Sequence, residues 1–202
     1  MDMDFDVTLR RECGDGAVLD YGIVHGSSEV VFIKSGRGGS HVGLDGKYVR
    51  MARRMNDSCG CTVIAASNPL EPKESYPIDR SVIENYASER GFDGFSLRLI
   101  GSSNGAYQNL LLANLMPQTR RVMCINMPLM LDFHKTKREL SRMVGIGKVF
   151  VYGSADPSYR YAPMLEIQRY SDCRFIYVEG ADHQFAGRSD ELVALVDEVW
   201  TL

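Results

Sequence analysis

The sequence predicts an α/β fold: a mostly parallel central sheet of about eight strands, an antiparallel N-terminal edge, and helices on both faces. Three observations predict it. Residues 5–34 read as strands separated by turns rich in glycine and serine, a spacing that favours antiparallel hairpins. After Ile33 short apolar runs alternate with stretches of helical periodicity. Most of those later runs are apolar on both faces, as strands are when helices cover each side of a parallel sheet.

The antiparallel edge comprises residues 5–12, a Gly14-Asp15-Gly16 turn, residues 17–24, a second turn at His25-Gly26-Ser27-Ser28, and the strand Val30-Val31-Phe32-Ile33. Strands then follow at residues 61–66, 95–100, 122–126, 149–152 and 175–178, with helices predicted over 45–55, 79–90, 104–115, 133–143, 162–170 and 189–200. Asp79 reads as the N-cap of its helix, Gly91 as the residue that stops it, and Pro117 as the end of the next helix. Ser189-Asp190-Glu191 places acids in the first turn of the last helix, where they complement the dipole. Neither a linker nor a repeat interrupts the 202 residues, so residues 1–202 read as one domain, large enough to be stable without disulfides or metals.

Composition excludes some classes of partner. With 45% hydrophobic and 24% charged residues and a formal net charge of −3, the chain has no broad attraction for nucleic acid or anionic membrane. No apolar run approaches a span of about 18 residues, and Met1 to Asp6 is acidic where a secretory signal would be basic and then apolar. The expectation is a cytoplasmic protein with no nucleic-acid partner and no membrane insertion. Cys13, Cys59, Cys61, Cys124 and Cys173 are scattered as reduced thiols are, and Cys59-Gly60-Cys61 lacks the second pair or histidine of a zinc site. Ser35-Gly36-Arg37-Gly38-Gly39-Ser40 lacks the lysine-hydroxyl ending of a phosphate loop, and no dinucleotide fingerprint occurs. No metal and no cofactor are therefore expected.

Chemistry concentrates after the strand at 95–100, in Gly101-Ser102-Ser103-Asn104-Gly105, followed at once by a helical run. This is G-x-S-x-G in a strand-turn-helix setting. A serine hydroxyl becomes a nucleophile when it is exposed, held near a base and placed at positive potential, and a sharp turn at a helix head meets the first and third needs. Where the third strand ends, Ser35 to Ser40 can turn backbone N–H groups toward developing negative charge. Gly153-Ser154-Ala155-Asp156-Pro157 follows one later strand and Glu179-Gly180-Ala181-Asp182-His183-Gln184-Phe185 follows the last, both at the same sheet edge as Ser103, where open α/β sheets place their sites. Serine, acid and histidine thus appear in the order a hydrolytic triad on such a sheet requires. Asp132 is an alternative acid, one strand earlier. Asp182 is a poor one, since a neighbour of the histidine on a tight loop points away from its ring.

From about Val30 to Leu202 the chain resembles the α/β-hydrolase superfamily. Ser35 to Gly39 is similar to its His-Gly-x-Gly-Gly oxyanion loop, with serine in place of histidine. Gly101 to Gly105 is similar to its nucleophile elbow, Gly153 to Asp156 to its acid loop, and Asp182-His183-x-Phe185 to its histidine loop. The resemblance implies a serine hydrolase with Ser103 as nucleophile, His183 as base, Asp156 as the acid that orients it, and the N–H groups of Arg37 and Asn104 as an oxyanion hole. Residues 127–147 leave no room for a helical lid, so the relatives in view are small esterases and thioesterases acting on small-molecule acyl esters or thioesters. Two other readings use the same residues: acyl transfer to an acceptor other than water, and a binding module that has kept the fold without turnover. Arg37, His41 and Arg188 are candidates for favouring an anionic acid portion of the substrate.

Overall fold

Two-sided apolar strands need cover on both faces, and the computed structural model, which describes residues 4–13, 16–71, 74–131 and 133–201, supplies it. The strands are β1 (Val7–Glu12), β2 (Val18–Val24), β3 (Ser27–Lys34), β4 (Cys61–Ala66), β5 (Ser96–Ser102), β6 (Thr119–Ile125), β7 (Gly147–Gly153) and β8 (Cys173–Val178). They form one sheet in the order β1-β2-β4-β3-β5-β6-β7-β8. Pairing is parallel from β4 through β8 and antiparallel at β1/β2 and β2/β4. Every residue of β4 and β7 is buried. The outermost β1 is mostly exposed and charged, with Arg10 paired to Asp20, which discourages another chain from adding to that edge.

The helices are α1 (Lys47–Cys59), α2 (Tyr76–Glu89), α3 (Asn104–Ala113), α4 (Phe133–Arg142), α5 (Ala162–Glu166) and α6 (Ser189–Ala194), the last continued by a 3₁₀ turn over Leu195–Val199. One core layer joins the sheet to α2 to α5 through Ile83, Leu110, Leu140 and Leu165. The other joins it to α1 and α6 through Met51, Met55, Leu192 and Val196. Among the described residues no helix is long and apolar enough to cross a membrane, and all five cysteines are free.

Two expectations are corrected. The turn at His25-Gly26 does not close a hairpin, because β4 lies between β2 and β3. The apolar second half of β3 is buried on both faces, which suits a central position rather than the edge. The chain gets there by passing tightly against β4: a Cβ on Gly26 would stand 2.4 Å from the Cys61 backbone. β1 and β2, on either side of the predicted Gly14-Asp15-Gly16 turn, do pair antiparallel; Gly14 and Asp15 themselves lie outside the described residues. Asp79 is not an N-cap. Its helix begins earlier, with Ser75 at the cap position, and Asp79 is buried in an ion pair with Lys34 at 2.8 Å. Gly91 does follow the helix with φ +68°, the left-handed stop expected there.

Candidate active site

Ser103 sits between the end of β5 and the start of α3 with φ 54° and ψ −124°. A non-glycine residue held there costs about 1–3 kcal/mol and persists only when its surroundings impose it. They do. The Ser103 N–H donates to the Ile125 carbonyl at 2.8 Å and its carbonyl accepts from Ala106 at 3.0 Å. Side chains are excluded on either side of it: a Cβ on Gly105 would lie 2.2 Å from the Ser35 carbonyl oxygen, and one on Gly101 2.4 Å from Ala106 Cα.

The loops after β7 and β8 bring Asp156 and His183 to this serine. His183 Nε2 lies 3.0 Å from Ser103 Oγ, and His183 Nδ1 is hydrogen-bonded to Asp156 Oδ2. The Asp156 side chain is fully buried while that of His183 is 38% exposed. The second carboxylate oxygen of Asp156 accepts the Ser158 N–H at 2.6 Å, so the acid is held from both ends. Asp182 spends its carboxylate on the Gln184 and Ala186 N–H groups, away from the imidazole. Asp132 lies outside the described residues. His25 pairs with Tyr86, and His41 packs on Phe5.

Asn126, at the end of β6 and fully buried, ties the two loops together. Its Nδ2 donates to the carbonyls of Asp182 (3.0 Å) and His183 (3.2 Å), and its Oδ1 accepts the Gly153 N–H at 2.9 Å. Its own φ of 45° is one that asparagine tolerates better than most residues.

The glycine-rich loop closes over the serine from the β3 side: a Cβ on Gly36 would meet Ser103 Cβ at 3.3 Å. Gly38 donates to the Asn68 carbonyl at 2.6 Å and Gly39 to Gly36 at 2.8 Å. Among the described residues the Arg37 N–H has no backbone acceptor. Asn104 opens α3, so its N–H is one of the first-turn donors a helix leaves unpaired. Asn68 joins these two places. Its N–H donates to Gly39, and its Nδ2 donates to the Ser35 carbonyl (3.0 Å) and Asn104 Oδ1 (3.1 Å). Gln108 then donates to both Asn68 and Asn104, at 3.0 and 2.9 Å, and accepts from Ser75. On the other flank, burial raises the Tyr48 pKa to about 12, with hydrogen bonds to the Ser102 side chain and Gly36 backbone opposing the rise.

Ser103 and His183 open into a cleft of about 460 Å³ whose walls include Arg37, Leu44, Lys47 and Tyr48. Of the three candidate side chains Arg37, His41 and Arg188 only Arg37 lines it, and its guanidinium is turned to the Leu70 carbonyl and Glu71. Arg188 is bound to Glu191 and the Glu179 carbonyl. Asn68, Gln108, Asn126 and Lys47 escaped the reading of the sequence. Only Asn126 carried a signal, as a polar residue ending the apolar run 122–125 at the sheet edge where sites gather. Among the described residues no cluster of histidine, cysteine and carboxylate side chains could hold a metal ion.

This sheet order, an elbow after β5, and an acid and a histidine after β7 and β8 define the α/β-hydrolase fold in its lidless form. Solved structures agree. An α/β serine hydrolase homologue from Coxiella burnetii is 18% identical with a TM-score of 0.72, covering 96% of this chain and 97% of its own. A serine hydrolase without a lid from Xanthomonas campestris is 18% identical, with a TM-score of 0.65 over 96% and 92%. A thioesterase domain from the curacin biosynthetic pathway is 13% identical, with a TM-score of 0.64 over 94% and 98%. At these identities the likeness is one of fold. No family model and no curated protein matches the sequence.

Proposed function

We propose that the protein is a serine hydrolase that cleaves a small carboxylic ester or thioester through an acyl-enzyme on Ser103. The observation that carries the reading is the hydrogen-bonded chain Ser103–His183–Asp156, whose serine is held at a strained turn beside unpaired backbone donors. His183 Nε2 takes the Ser103 proton as Oγ attacks the carbonyl carbon, and Asp156 holds the ring in the tautomer that can accept it. Negative charge gathers on the carbonyl oxygen and is met by the Arg37 and Asn104 N–H groups. The intermediate collapses, His183 gives its proton to the leaving alcohol or thiol, and water then repeats the sequence on the acyl-enzyme. The free thiols are consistent with a reducing, cytoplasmic setting.

A fluorophosphonate probe tests this without the natural substrate. Wild-type protein should be labelled at Ser103 and should hydrolyse para-nitrophenyl acetate, and Ser103→Ala should lose both while keeping its melting temperature. Labelling that survives in Ser103→Ala and disappears in Ser102→Ala would refute the assignment.

A further inference from the structure

The wall of the cleft holds a cation that the reaction does not use. Lys47 is 3% exposed, and its ammonium donates to the Gln184 carbonyl at 3.0 Å. It also lies over the Tyr48 ring, 5.5 Å from the centroid, but among the described residues it has no carboxylate within ion-pair distance. Asp45 and Asp182 attract it from further away, but each has other partners: Asp45 accepts from Ser189, and Asp182 holds its own loop. Burial pulls the Lys47 pKa down. A buried charge is normally paired, and the residues lining this cleft include two cations and no acid. The position of Lys47 is informative too. It grips the residue next to His183, the group that hands a proton to the leaving alcohol or thiol. A second, apolar hollow of about 240 Å³ lies beyond Asn104, lined by Tyr107, Met127, Pro128, Leu131 and Thr136. It is on the β6 side of β5, whereas the cleft is on the β3 side.

On the reading of the protein as a serine hydrolase, we propose that Lys47 recognises an anionic leaving group. The substrate class is then a short apolar acyl group joined as ester or thioester to an alcohol or thiol carrying a carboxylate or phosphate. The anion completes the coordination of Lys47, and the acyl chain enters the apolar hollow. Hydrolysis proceeds as above, and the leaving alcohol or thiol departs with its proton and its charged group.

Matched acetyl esters test this. Wild-type protein should cleave para-acetoxybenzoate and para-acetoxyphenyl phosphate with kcat/KM about 10- to 100-fold above methyl para-acetoxybenzoate, the range of a charge-assisted hydrogen bond. The ratio of the two anionic esters tells a carboxylate from a phosphate site. Lys47→Met should bring the anionic-to-neutral ratio close to one, mainly through KM, and Lys47→Arg should restore part of it. The ratio is independent of the fraction of folded enzyme. Equal rates for charged and neutral esters, or a preference that persists in Lys47→Met, would overturn the proposal. So would a uniform loss of kcat in Lys47→Met with the ratio unchanged, because Lys47 would then serve only to hold the His183 loop. A preference for para-nitrophenyl hydrogen glutarate over para-nitrophenyl pentanoate that exceeds the acetoxybenzoate preference would place the anion on the acyl side and overturn the assignment to the leaving group. Failure of wild-type protein to label at Ser103 would count against the hydrolase reading itself.

Discussion

Ser103, Asp156 and His183 were legible because each follows a strand in a short loop of small residues, and the order of the three carries meaning. The residues that hold them were not. Asn68 sits before a proline in what reads as an ordinary turn, yet its backbone and side chain bond to Ser35, Gly38, Gly39, Asn104 and Gln108. Those partners lie up to 40 residues away, beyond the reach of any local pattern. In the proposed oxyanion hole Asn68 sets the spacing between the two donors, and Asn68→Ala should loosen both at once. The expected outcome is a fall in kcat of about 10²-fold, comparable to losing one oxyanion donor, with KM little changed. The rate of fluorophosphonate labelling should fall in parallel, since phosphonylation places charge on the same donors. A variant that binds substrate more weakly but turns over at the wild-type rate would remove Asn68 from this role.

At the scale of elements, all eight strands and six helices were readable, because apolar runs of strand length and helical periodicity are local properties. Pairing is not local. The turn chemistry at His25-Gly26 suits a hairpin, and only the complete burial of β3 after Glu29 argues for a central place. The elbow shows how strand and helix depend on each other. α3 packs so closely on β3 that Gly105 faces the Ser35 and Lys34 carbonyl oxygens, with 2.2 and 2.5 Å left for a Cβ. Backbone atoms cannot step aside as a flexible side chain does, so the upper end of the overpacking range applies. Gly105→Ala should cost about 3 kcal/mol, a drop in Tm of about 6–12 °C for a domain of this size. It should also displace the first turn of α3, with loss of Ser103 labelling in the fraction that stays folded. A thermal melt matching wild type, with labelling intact, would show that the helix has more room than these distances allow.

Across the whole molecule, one buried ionic centre joins layers that the apolar core alone does not align. Lys34 ends β3 and Asp79 lies in α2, both with side chains fully shielded from solvent. Tyr21 of β2 donates to Asp79 at 2.8 Å across 58 residues of sequence, and Lys34 also donates to the Ser67 carbonyl at 2.9 Å. Ser75 connects Asp79 to Gln108, and so to Asn68 and Asn104 at the site. The reading of Asp79 as a helix cap failed for this reason. An acid near a helix start has a local explanation, whereas its partner on a strand 45 residues earlier is visible only in the fold. A buried pair is costly to form and costlier to break, because the survivor keeps its desolvation penalty without compensation. Asp79→Ala should therefore destabilise by about 3–5 kcal/mol, a fall in Tm of about 6–20 °C. Replacing both partners with apolar residues of similar bulk, Lys34→Met with Asp79→Leu, should recover most of that loss, since no charge is left stranded. Lys34→Met, Asp79→Leu and the double variant, compared by urea denaturation, measure the coupling directly. If the double variant were destabilised by the sum of the singles, the pair would be acting as two independent contacts and not as the centre that aligns β2, β3 and α2.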